Sequence, residues 1–346
     1  MSDIRIRKTG KIGRITFNRP QALNAMSYQM CLAIESALDE WNIDDDVKMV
    51  VIDAEGEKAF CAGGDIAELY ESGTKGNFLY GQQFWADEYR MNAKIFAFPK
   101  PVAAFMQGYT MGGGVGVGCH GSHRVVGDSS QISMPECSIG LVPDVGGSYI
   151  LANAPGRLGE FLGLTAARLR AEDAIYSGFA DYYIPETAWP ALITSLENTG
   201  DWTLIDQSRQ PPKLSEIAKQ ESEINEFFSG ETLTDIVNLL DATNSDFARN
   251  TLKKLSRNSP LSMGCTLEII HRVRLRDNFR AALAQEYQFT YRAIEHGDFL
   301  EGIRAQIIDK DRNPHWKHQL RDLPAIAVSQ MLLPLGAASL TFGKGN

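Results

Sequence analysis

The chain has 346 residues, 44% of them apolar and 22% charged, with 34 basic against 43 acidic side chains and a net charge of −9. That composition supplies a sizeable core and argues against nucleic acid as the main partner, since phosphate binding asks for a basic surface. No run of about 20 apolar residues is present, so no transmembrane helix and no membrane partner are expected. The opening MSDIRIRKTG lacks the apolar region of a secretory signal. Cys31, Cys61, Cys119, Cys137 and Cys265 form no CxxC pair and read as reduced thiols of a cytoplasmic compartment.

Residues 4–6 and 12–17 flank a glycine turn and predict a hairpin. A helix follows through about residue 39, with Met26, Met30, Ala33, Ile34, Ala37 and Leu38 near helical spacing. Residues 48–53, KMVVID, read as a strand, and 60–65, FCAGGD, as the turn after it. Residues 76–98 read as a helix, and 102–106, 123–126 and 131–134 as short strands. Strands alternating with helices predict an α/β fold. Beyond about residue 186 the pattern changes. Residues 190–212 look irregular, 214–228, 234–240 and 246–255 look helical, and Ser259-Pro260 reads as a break before a helical stretch that includes 266–270. Residues 278–296 keep one face apolar and predict a helix stopped at Gly297, with Asp298 and Glu301 at capping-box spacing. The expected division is a core over 1–195 and a helical region over 196–346.

Two stretches carry chemistry. Residues 107–116, QGYTMGGGVG, place glycines directly after an apolar strand, and residues 134–147, MPECSIGLVPDVGG, set Glu136 and Asp144 eight positions apart. Glycine lets the backbone approach a ligand closely, and free N–H groups near a helix start attract negative charge. Such amides beside carboxylates suit carbonyl chemistry, in which the amides hold an oxyanion and a carboxylate moves a proton or attacks. Gly64 and Gly113 are the candidate donors. Burial of Glu136 would favour its protonated form and suit acid–base work. Each residue also has a plainer reading: Gly-Gly-Asp as a turn, the glycine run as helix–strand packing, Asp144 as a turn residue, and Glu88 as half of a surface ion pair on a helix. The glycine spacing fits neither the P-loop nor a dinucleotide fingerprint. His120 with His123 and His315 with His318 lack a third ligand, so no metal is expected.

Together NRPQALNAM (18–26), AFCAGGDI (59–66), QGYTMGGGVG and MPECSIGLVPDVGG resemble the enoyl-CoA hydratase/isomerase (crotonase) superfamily. Within it, EGIRAQIIDKDRNPHW (301–316) resembles the 3-hydroxyisobutyryl-CoA hydrolase branch. The resemblance runs from about residue 3 to 320 and is weakest over 190–255. It implies a spiral core of repeated ββα units with appended C-terminal helices, and an acyl-CoA ligand. Gly64 and Gly113 are then the oxyanion hole. Hydratases of the superfamily use two glutamates, the first following the glycine loop as GGGCE. Here that stretch is GGGVG, so the position is Gly116, and the second glutamate, twenty positions on, is Glu136. The hydrolase branch adds an aspartate, matched by Asp144, and a substrate-contacting glutamate in an EEY-like motif, matched in DEY by Glu88. The resemblance therefore implies thioester hydrolysis in valine breakdown. Glu136 and Asp144 would be catalytic, and Glu88, Gly113, Glu136 and Asp144 would contact substrate. No metal or cofactor is needed beyond the coenzyme A of the substrate. A homo-oligomer is possible. An isomerase, a hydratase and a non-catalytic acyl-CoA-binding protein are the alternatives.

Overall fold

The computed structural model describes residues 2–343. β1 (Ile4–Thr9) and β2 (Ile12–Phe17) form the hairpin, turning at Gly10, whose φ of +57° is left-handed. α1 (Tyr28–Asn42) starts where the Ser27 side chain accepts from the Met30 N–H. β3 (Met49–Ala54), β4 (Ala59–Cys61), α2 (Ala67–Thr74) and α3 (Phe78–Phe96) follow, then β5 (Val102–Met106), β6 (Tyr109–Met111) and α4 (Gly113–Gly118), then β7 (His123–Val126) and β8 (Gln131–Ser133). After them come α5 (Gly147–Asn153), α6 (Leu158–Thr165), α7 (Ala171–Tyr176) and β9 (Tyr182–Tyr183). The remaining elements are helical: α8 (Trp189–Thr199), α9 (Thr203–Ser208), α10 (Glu221–Phe227), α11 (Leu233–Asp241), α12 (Asp246–Leu255), α13 (Pro260–Arg274), α14 (Phe279–His296), α15 (Phe299–Ile303) and α16 (Ala325–Met331).

The strands alternate between two sheets. One runs β1-β2-β3-β5-β7-β9, parallel except for the β1–β2 hairpin. The other is the parallel β4-β6-β8. After the β1–β2 hairpin, the pairs β3–β4, β5–β6 and β7–β8 each give their first strand to the larger sheet and their second to the smaller. β3 and β5, in the middle of the larger sheet, are nearly unbroken apolar runs because both faces are covered.

Close packing divides the chain into two compact units, each drawing on three stretches. The first comprises 1–65, 87–133 and 168–218, and the second 66–86, 134–167 and 219–346. In the first unit, Ile12, Met49, Val51, Ala103, Phe105 and Val125 of the large sheet pack on Trp189, Leu192, Ile193 and Leu196 of α8. The Phe105 and Trp189 rings meet edge to face at 5.5 Å. In the second unit, α13 is buried over most of its circumference, as a central helix should be.

Several elements depart from the sequence expectations. The stretch 190–212 contains α8 and α9: Pro190 sits in the first turn of α8, where its missing N–H costs nothing. Residues 189, 192, 193 and 196 carry helical periodicity that the flanking prolines obscured. Ser259-Pro260 opens α13 instead of breaking a helix, with the Ser259 side chain accepting from Ser262 N–H. Asp298 makes no cap. Its carboxylate accepts from the Ser259 hydroxyl at 2.6 Å and the Lys317 N–H at 3.1 Å. Phe60 and Cys61, read as the start of the 60–65 turn, belong to β4, and residues 113–118 of the glycine stretch form α4.

Candidate active site

In the first unit three expected residues meet. Met26 makes a parallel bridge to Gly64, with its N–H bonded to the Gly63 carbonyl and its carbonyl accepting from Asp65 N–H. In that pattern the Gly64 N–H points away from Met26. Gly113 is the first residue of α4, so its N–H has no acceptor within the helix. A Cβ on Gly113 would lie 3.3 Å from Gly64 N, 3.0 Å from Glu88 Oε1 and 3.5 Å from the Met26 methyl. The two amides and the Glu88 carboxylate therefore border one small space. Only glycine fits at the neighbouring position too, since a Cβ on Gly114 would stand 2.1 Å from the Cys61 carbonyl oxygen. This is the close helix–strand approach of the plainer reading, and it is what carries the start of α4 to Gly64.

Glu88 is not on the surface, as a helical ion pair would place it. It is 3% exposed. The ion pair belongs to its neighbour Asp87, which meets Arg90 at 2.8 Å and accepts from the Tyr28 hydroxyl. Arg90 in turn binds Glu35 at 2.6 Å. One residue along a helix turns the side chain by about 100°, which separates the paired carboxylate from the one turned toward Gly113. Burial, and then the carboxylates of Glu88, Glu35 and Asp87, push the Cys31 thiol well up, so it is no nucleophile.

In the second unit Glu136 and Asp144 are each 4% exposed. Glu136 opens the 3-10 turn Glu136–Ile139 after Pro135. The next residue is anchored on α13: the Cys137 carbonyl accepts from Ser259 N–H at 2.9 Å, and its thiol lies 3.3 Å from the Thr266 hydroxyl. Burial pushes that thiol up to about 12. Gly140 closes the turn with φ +75°, and a Cβ there would sit 2.4 Å from the Asp298 carbonyl carbon. Asp144 begins a second turn, in which its carbonyl accepts from Gly147 N–H at 2.6 Å. Val145 has φ +53° and Gly146 φ +83°, two successive left-handed residues, the first of them β-branched.

Sequence reasoning missed Glu286. It lies on α14, wholly buried, and accepts from Gly146 N–H at 2.9 Å, from Ser148 N–H at 3.0 Å and from the Ser148 hydroxyl. Burial pushes its carboxyl up to about 8, and nearby Asp144 adds to the rise against those bonds. A charged residue on the apolar face of the 278–296 helix was the available signal. Glu160 is equally buried and shifts the other way. Burial alone would raise it, but bonds from Arg274, His271 and Arg157 outweigh that and hold it well below the carboxylate range. Among the described residues, all five cysteines are free thiols, and no group of three His, Cys, Asp or Glu side chains could hold a metal.

The alternation of ββα repeats between two sheets is the architecture of the crotonase fold. The enoyl-CoA hydratase/isomerase family model matches residues 12–332, and the chain belongs to that family. It is similar to the mitochondrial 3-hydroxyisobutyryl-CoA hydrolase of Danio rerio, with 36% identity over 91% of this chain and 85% of that one. A solved structure of an enoyl-CoA hydratase from Rhodobacter sphaeroides is 53% identical, with a TM-score of 0.95 over 99% of this chain and all of that one. A carnitinyl-CoA dehydratase structure from Mycobacterium thermoresistibile is 36% identical, with a TM-score of 0.94 over the whole of both chains. No helix among the described residues is long and apolar enough to cross a membrane.

Proposed function

We propose that this enzyme hydrolyses a small 3-hydroxyacyl-CoA thioester, 3-hydroxyisobutyryl-CoA, to the free acid and coenzyme A, as a step of valine breakdown. The observation that carries the reading is Gly116. It lies buried within α4 at the position where hydratases of the family hold a glutamate, and it has no side chain to move a proton. One of the two acid–base groups that hydration needs is therefore gone, whereas Glu136 and Asp144 are both present and buried.

In this reading the Gly64 and Gly113 amides bind the thioester oxygen and stabilise the tetrahedral state. Glu136 attacks the carbonyl carbon to give an anhydride that water then opens, or takes a proton from the water that attacks. Either way the C–S bond breaks and the thiolate leaves. Asp144 orients the 3-hydroxyl or supplies the proton to the thiolate, and Glu88 accepts from the 3-hydroxyl. No cofactor is invoked beyond the coenzyme A of the substrate, and a homo-oligomer is compatible with the scheme. Five buried thiols suit a reducing compartment, and we place the enzyme in the cytoplasm. The Danio rerio relative is named mitochondrial, so imaging of the tagged protein decides between the two.

A second reading, hydration of a double bond with Glu136 alone, is favoured by the Rhodobacter sphaeroides structure, which is named an enoyl-CoA hydratase. Free-thiol release from 3-hydroxyisobutyryl-CoA, followed beside crotonyl-CoA hydration, separates the two. Fast release with negligible hydration supports the hydrolase. Hydration without release overturns it. Binding of acyl-CoA with neither reaction would leave a non-catalytic protein.

A further inference from the structure

The turn that follows Pro143 is not stable by local preference. Val145, at φ +53°, is a β-branched residue in the left-handed region, and it is buried at 1% exposure. Such a conformation is strained and persists only where the surroundings over-determine it. The following residue, Gly146, is left-handed as well. Within the turn, Gly147 N–H bonds to the Asp144 carbonyl at 2.6 Å.

The restraint comes from 140 positions away. Glu286 is fully buried, and its two oxygens divide the turn between them. Oε2 accepts from Gly146 N–H at 2.9 Å, and Oε1 accepts from Ser148 N–H at 3.0 Å and from the Ser148 hydroxyl. A carboxyl group, ionised or with its proton turned to the Ser148 hydroxyl oxygen, presents two oxygens at fixed separation, so it sets the spacing of residues 146 and 148 and with it the dihedrals between them. A glutamine cannot do the same, because its amide nitrogen would face one of these donors. On the other side the turn packs on the Met134 side chain: a Cβ on Gly147 would lie 2.5 Å from its methyl.

We infer that Glu286 is the positioning residue for Asp144, holding the strained 144–148 turn in the one backbone conformation that presents Asp144 for reaction. The role of Asp144 in thioester hydrolysis rests on the function proposed above; the clamp itself rests on the geometry of the turn. Glu286 contacts no reacting atom in this scheme. It acts through the turn alone.

The test is a double-substitution cycle on the full chain, with thiol release from 3-hydroxyisobutyryl-CoA as the rate and amide hydrogen exchange over residues 143–150 as the structural readout. Glu286→Gln is expected to lower kcat by about 100-fold, the scale on which a displacement of roughly 1 Å acts, with KM changed by less than about threefold. In an Asp144→Asn background the same change should cost less than about threefold more, because both act through one carboxylate. Exchange at the Gly146 and Ser148 amides should quicken by at least about tenfold. A normal kcat, losses that multiply, or unchanged exchange would each overturn the inference. If Glu286→Gln does not fold, Ser148→Ala removes one of the three donors and is read against the same criteria. If the unsubstituted enzyme releases no thiol, the hydrolase reading has failed, and exchange alone decides whether Glu286 clamps the turn.

Discussion

Gly113 and Glu88 stand so close that the smallest side chain would touch: a Cβ on residue 113 would lie 3.0 Å from Glu88 Oε1 and 3.3 Å from Gly64 N. Glycine at this point keeps the amide of one turn, the amide of another and a buried carboxylate around a common space. Gly113→Ala keeps the backbone N–H but puts a methyl into that space, 3.0 Å from Glu88 Oε1. It should lower the unfolding temperature slightly, because the Glu88 side chain must shift by a few tenths of an ångström, and lower kcat by about 100-fold, because the methyl displaces whatever the two amides hold. Steady-state kinetics beside calorimetry check it. A normal kcat would show that this space is not where the reacting oxygen sits.

Glu136→Gln and Asp144→Asn keep shape and burial while removing charge. Each should cut kcat by at least about 100-fold with a smaller change in KM. Asp87→Asn is the control one residue from Glu88. It loses the Arg90 pair and so should lower the unfolding temperature more than it lowers turnover. If Asp144→Asn and Glu88→Gln both retain full turnover, the hydrolase scheme fails.

Glu286 gives stability a pH dependence with a definite sign. Its carboxyl is raised from 4.5 to about 8 in the folded chain, by burial first and then by Asp144 against the bonds it accepts. Between those two values the folded state holds a proton that the unfolded state has lost. This contribution therefore falls as pH rises through the window and levels off above about 8. The Ser148 hydroxyl makes both forms tolerable, donating to the ionised group and accepting from the protonated one. Denaturant unfolding at intervals across the window should show a downward slope that is flatter in Glu286→Gln. Parallel curves would remove Glu286 as its source.

Glu160 should behave oppositely. Its carboxyl is held low by Arg274, His271 and Arg157 against burial, so its contribution is full above the ordinary carboxylate range and is lost as pH falls through its own lower value. Glu160→Gln leaves Arg274 and Arg157 without their charge partner. Breaking a buried pair costs roughly 3–5 kcal/mol, and the lower end applies here because Arg274 is 30% and Arg157 28% exposed. Chemical denaturation at neutral pH measures it. A loss below about 1 kcal/mol would make the network decorative.

The α/β repeats and the family's glycine and carboxylate motifs are legible in the sequence, because each is written in short-range pattern: apolar runs, glycine after a strand, a fixed count between carboxylates. So are the helices over 278–296 and 246–255, since their apolar stripes match the α-helical period. The interior position of Glu88 is not, because a helical residue's surroundings depend on which way its helix faces. Nor is the pairing of Glu286 with Gly146 and Ser148, because nothing local marks a contact across 140 positions. The strain at Val145 is equally out of reach. Local preference argues against a β-branched residue at positive φ, whereas the bonds that the turn makes to the buried Glu286 of a distant helix exist only once the chain has folded.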